Sequence, residues 1–71
     1  MLKLRYIAMI CVHNGDKHTE PEWYNLDNKG HYTKNLWFTQ HYDTEHEANE
    51  ALNAWRNLYG VIEVKVRESR F

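Results

Sequence analysis

Residues 2–13 alternate without a break. Leu2, Leu4, Tyr6, Ala8, Ile10 and Val12 fall on one side, and Lys3, Arg5, Ile7, Met9, Cys11 and His13 on the other. A period of two in a run containing β-branched and aromatic residues marks a β-strand. A strand this long carries rows of backbone donors and acceptors that need partners. The rest of the chain must therefore supply neighbouring strands, and an apolar layer to cover the sheet they form.

Both are legible. Asn14-Gly15-Asp16 is a turn signal, because Asn and Gly take positive φ at little cost, and the polar stretch 17–21 reads as a loop. Residues 22–27 (Glu-Trp-Tyr-Asn-Leu-Asp) predict a second strand, Asp27-Asn28-Lys29-Gly30 a turn, and residues 32–40 a third strand. The cover is a single helix. Asp43 or Thr44 caps it, and Thr44 with Glu47 has the spacing of a capping box. Ala48, Ala51, Leu52, Trp55, Leu58 and Tyr59 then recur at helical intervals, and Gly60 is placed to end the helix in a left-handed conformation. Residues 61–67 predict a last strand with Ile62, Val64 and Val66 on one face, and residues 68–71 a frayed tail.

The order β-β-β-α-β predicts an α+β domain. The expected architecture is a four-stranded sheet in the order 3-2-1-4, with one helix packed on one face. The last strand is expected beside the first and parallel to it, through a right-handed crossover. One helix covers one face only. The covered face is expected to carry Leu4, Tyr6, Ala8, Ile10, Tyr24, Leu26, Leu36, Phe38, Ile62 and Val64. The open face would then carry Lys3, Arg5, Ile7, Met9, Trp23, Trp37, Lys65 and Arg67. That surface is basic and apolar, with two tryptophans on neighbouring strands, and Trp and Arg are the residues most enriched at binding hot spots. The plainer alternatives are a cross-strand Trp23–Trp37 pair that covers itself, a tryptophan folded over an edge, or a one-residue register slip that exchanges the faces.

Composition narrows the function classes. A chain of 71 residues is expected to be one domain with a thin core. Such a core leaves little to support a catalytic pocket. There is no Gly-rich phosphate loop, no nucleophile elbow and no carboxylate pair in an apolar setting, so no enzyme is expected. Nine basic and ten acidic residues give a net charge of −1, without the basic excess usual in a dedicated nucleic-acid binder. The lone cysteine, Cys11, allows no internal disulfide and points to the cytoplasm, and packing is the ordinary role for a cysteine in an apolar strand. The start, Met1-Leu2-Lys3-Leu4-Arg5, lacks the apolar run of a signal peptide, and no window reaches membrane-span length. His13, His18, His31, His41 and His46 do not show zinc-motif spacing; His41, Asp43 and His46 are the nearest approach to a metal site, with surface histidines the plainer reading. No cofactor is implied.

A second candidate surface is the acidic helix start, Asp43, Glu45, Glu47 and Glu50, with Glu20 and Glu22 adding charge nearby. Such a cluster is able to imitate phosphates towards a DNA-binding partner. Helix-dipole chemistry on a solvated face is the commoner reason for acidic first turns.

The segment 42–52 (Tyr-Asp-Thr-Glu-His-Glu-Ala-Asn-Glu-Ala-Leu) runs through Trp55 and Gly60 into 61–67 (Val-Ile-Glu-Val-Lys-Val-Arg). This Glu/Ala-rich helix, Trp, Gly and closing Glu-Val strand resembles small early proteins of bacteriophages, among them the coliphage inhibitor of host RNA polymerase. The resemblance is confined to the helix and last strand. It implies a protein that binds and inhibits a host protein acting on nucleic acid, such as a nucleoid protein or RNA polymerase, in the host cytoplasm. It transfers no individual contact residue. The alternative is a single-stranded nucleic-acid module that stacks bases on Trp23 and Trp37 beside Lys3, Arg5 and Lys65. A third reading is a homodimer that buries the open sheet faces against each other.

Overall fold

The computed structural model describes residues 3–13, 15 and 20–70. Leu2, most of the Asn14-Gly15-Asp16 turn, residues 17–19 of the expected loop with His18, and Phe71 lie outside the described residues. The elements are β1 (Leu4–Val12), β2 (Glu22–Leu26), β3 (Tyr32–Thr33), a 3₁₀ turn (Leu36–Phe38), α1 (Glu45–Leu52) and β4 (Val61–Arg70). They form one four-stranded sheet in the order β3-β2-β1-β4 with α1 against it, the expected α+β architecture and strand order.

Three parts of the expected arrangement are corrected. The third strand stops at Thr33, where Asn35 turns the chain: its side chain accepts from the Trp37 N–H and caps the 3₁₀ turn. The chain then returns along 39–42, where Thr39 bridges Asp27, and Tyr42 exchanges both backbone hydrogen bonds with Tyr6 (2.9 and 2.8 Å). This return wedges between the start of β1 and the end of β2. It also delivers the chain to the N-terminal end of β1 before the helix begins.

That extra reversal explains the second correction: β4 runs antiparallel to β1, not parallel. The helix and the turns after it carry the chain along the sheet to the C-terminal end of β1. There Val12 pairs with Val61, and His13 N–H donates to the Gly60 carbonyl (2.8 Å). A third strand running through to residue 40 would have left the chain at the opposite end and produced the parallel arrangement.

The third correction concerns lengths. The helix ends at Leu52, not Tyr59, and the chain continues as turns whose N–H groups mostly reach back three residues, Trp55 to Leu52 and Leu58 to Trp55. Asn53 and Asn57 are weak helix formers, and the Asn53 side chain takes the Arg56 guanidinium instead (3.3 Å). The expected frayed tail is strand: Glu68, Ser69 and Arg70 pair with Tyr6, Arg5 and Leu4.

The core is small. Ala8, Ile10, Leu26, Ala48 and Leu52 are buried together, ringed by Tyr6, Val12, Tyr24, Tyr42, Ala51, Trp55, Val61, Val64 and Val66. Of the expected covered face, Leu36 and Phe38 are instead exposed on the 3₁₀ turn, and Leu4 is exposed at the strand start. Ile62 is exposed where a register shift lets Val61 take the inward place. Tyr32 joins the β2–β3 hairpin to the turn after the helix by edge-on contacts with Tyr24 and Trp55 (4.8 and 5.8 Å).

Candidate protein-binding surface

The acidic helix start is built into the fold. Thr44 Oγ1 accepts from the Glu47 N–H (3.1 Å), the first half of a capping box, while Glu47 Oε2 accepts from the N–H of Asp43, one residue before the cap (3.3 Å). Asp43 also meets the Lys3 ammonium at 3.4 Å, and Glu50 lies 3.4 Å from His46 one turn earlier. Three of the four carboxylates singled out from the sequence therefore have partners within the chain. Glu45 sits exposed in the first turn, where the helix dipole favours it.

The sheet face away from the helix is less open than its composition suggests. Ile7 is only 2% exposed, and Cys11 is buried on the same side. On the two flanking strands Trp23 stands opposite Cys11 and Lys65 opposite Met9, yet the Lys65 ammonium lies over the Trp23 ring at 4.2 Å from its centroid. The lysine stem must cross β1 to reach that position, so lysine and indole together roof Cys11. Burial pushes the Cys11 thiol above its ordinary range, with Glu63 adding to the shift and Lys65 opposing it. Arg5 is half-buried and Arg67 exposed on this face.

Trp37 is not on a strand beside Trp23. It stands on the 3₁₀ turn with 87% of its surface exposed, between Leu36 and Phe38, each 55% exposed. The backbone beneath this projection is well held. Besides the Asn35 cap, Thr39 N–H donates to the Leu36 carbonyl and Thr39 Oγ1 donates to the Asn35 carbonyl (2.9 Å). Asn25 Nδ2 donates to the same Thr39 hydroxyl at 3.2 Å, and both of these polar residues are buried. A chain of hydrogen bonds thus ties three exposed apolar side chains to the middle of the sheet.

The exposure of Leu36 and Phe38 was not legible while residues 32–40 read as a strand. Asn35 immediately before an apolar triplet is the signal that points to the cap.

On the helix side an open cleft of about 280 Å³ lies among Leu26, Gly30, His31, Gln40, Tyr42 and Trp55. Among the described residues, no group of three or more His, Cys, Asp or Glu is arranged to hold a metal ion, the His41, Asp43 and His46 set included. Among the described residues no helix is long and apolar enough to cross a membrane. No protein-family model, curated protein or solved structure matches the chain.

Proposed function

We propose that this domain acts by binding a protein rather than by catalysis, and that Trp37, flanked by Leu36 and Phe38, is its anchor. One observation carries the reading: three consecutive large apolar side chains are exposed on a backbone that its own hydrogen bonds hold in one shape. Exposed apolar patches mark interaction sites, and Trp is the residue type most enriched among hot spots. A turn already fixed before binding loses little entropy when it docks, so more of the contact energy appears as affinity.

The resemblance of the helix and last strand to small phage early proteins supports a particular partner class, a host protein that acts on nucleic acid. Binding would inhibit it. The exposed carboxylates of Asp43, Glu45, Glu47 and Glu50 suit a basic surface on such a partner, with Arg5, Lys65 and Arg67 available to acidic groups on the other face. The single-strand alternative needs adjacent stacking rings, whereas Trp23 lies under Lys65 and Trp37 stands apart on the 3₁₀ turn.

The test uses the whole chain and its Trp37→Ala variant as baits in a bacterial lysate, with and without nuclease, read by mass spectrometry. A host protein retained through nuclease by the parent should be lost by the variant, since an anchoring Trp contributes about 2 kcal/mol or more. Identical retention by both baits would refute the anchor. Prey lost on nuclease treatment would favour the nucleic-acid reading.

A further inference from the structure

The two edges of the sheet are treated very differently. One ends in β3, two residues long, too short to template another strand. The other is β4, ten residues long, and among the described residues only β1 pairs with it. A long edge strand exposes a row of unpaired backbone groups, a template for another strand to the extent that Pro, charges, a bulge or a covering segment do not blunt it. β4 has no Pro; it carries an irregularity opposite Val12, and its charges are of both signs: Glu63, Lys65, Arg67, Glu68 and Arg70.

We propose that β4 is a self-pairing edge, and that its occupant is β4 of a second copy, antiparallel about a two-fold axis at Val64. The register follows from the side chains. With Val64 opposite itself, Glu63 faces Lys65 of the second copy twice by symmetry, and Ile62 faces Val66 twice. Every cross-strand pair in the segment 62–66 is then either unlike-charged or apolar, which is the pairing that stabilises neighbouring strands. A shift that centres the pair on Lys65 sets two lysines face to face and puts Ile62 opposite Glu68. Centring on Val66 sets Lys65 against Arg67, and centring on Glu63 opposes two glutamates.

Ile62 fits this arrangement. It is 59% exposed at the register shift beside Val61, and Val66 of the second copy would stand opposite it. To meet Glu63 of the second copy, the Lys65 ammonium leaves the Trp23 ring and swings to the outer edge of β4. The dimer would be one continuous sheet with a helix from each copy on the same face, and it leaves Trp37 outside the contact. This interface does not depend on the protein-binding reading of Trp37.

The experiment is sedimentation of the full chain over about a hundredfold range of concentration. A concentration-dependent dimer is expected. Glu63→Lys, on an exposed position, should raise its dissociation constant about tenfold or more, because it places like charges at both symmetric sites. The double exchange Glu63→Lys with Lys65→Glu should restore it.

Val64→Cys should link the two copies under mild oxidation, since directly opposed antiparallel Cα atoms lie about 4.5–5.5 Å apart, within disulfide reach. The parent chain, with Cys11 buried, controls for background linking, and Lys65→Cys controls for the shifted register. A monomer at every concentration would overturn the proposal. So would a dimer indifferent to Glu63→Lys, or one that links through Lys65→Cys and not through Val64→Cys.

Discussion

His41 shows how a single residue reports on its surroundings. It lies on the strand-like return between β1 and β2, half-buried, and burial followed by the nearby Arg5 charge holds its imidazole below the ordinary histidine range. The folded state therefore prefers neutral His41, whereas the unfolded chain takes up a proton near pH 6.5. In that window the unfolded state binds more protons, so stability is full above about pH 6.5 and declines as pH falls through the depressed folded value. His41→Gln should flatten that decline in urea-unfolding measurements taken between neutral pH and pH 5. A second loss belongs to lower pH. Lys34 and the Tyr24 hydroxyl hold Glu22 below its usual range, and the N–H groups of His31 and Lys29 do the same for Asp27. Both carboxylates stabilise the fold above their unfolded values and cease to do so as pH falls through the folded ones. None of this was legible in the sequence, where His41 looked like a surface histidine near a helix cap, because Arg5 reaches it only through the Tyr6–Tyr42 pairing.

Among the elements, the helix and the turn after it show how far local patterning reaches. The cap that Thr44 places on the Glu47 N–H was readable because it depends on residues three apart and on backbone they share. The helix end was not, because the apolar spacing through Leu58 and Tyr59 continues past the point where the backbone stops being helical. Leu58 and Tyr59 are exposed there, so the stripe beyond Trp55 has nothing to lie on. The left-handed backbone at Gly60 was readable, with φ +91°, although the helix that it was expected to end stops at Leu52. A Cβ at that position would stand 3.4 Å from the His13 carbonyl, beside the bond that joins the two strand ends. Gly60→Ala should therefore cost more than about 1 kcal/mol in urea unfolding, through the left-handed backbone and the close carbonyl together. A cost near zero would mean that the β1–β4 junction adjusts without loss.

For the whole molecule the governing fact is the thin core. Five residues are buried as one cluster, and α1 contributes two of them, Ala48 and Leu52. Leu52 is fully buried, so Leu52→Ala should cost about 2–5 kcal/mol. A single core of this size rarely supplies more than about 3–5 kcal/mol, so the variant should be substantially unfolded at 37 °C by circular dichroism. If β4 pairs with a second copy as proposed, raising the protein concentration should recover part of that loss, because dimer formation stabilises the folded state by mass action.

Elements whose signals are local were readable in the sequence: the period of two in β1, the left-handed turn at Gly60, the Thr44 cap, and the presence of four strands and one helix. The sequence by itself also determined the strand order, since short connections make successive strands neighbours and a single helix returns the chain to the free edge of β1. The tertiary structure alone decided the direction of β4, the exposure of Leu36, Trp37 and Phe38, and the roofing of Cys11 by Trp23 and Lys65. These depend on one long-range event, the return of residues 39–42 between β1 and β2, held by the buried Asn25–Thr39 bond between residues fourteen positions apart. Apolar periodicity records which side of an element meets the core. It carries no record of a chain reversal whose stabilising partners lie on another strand.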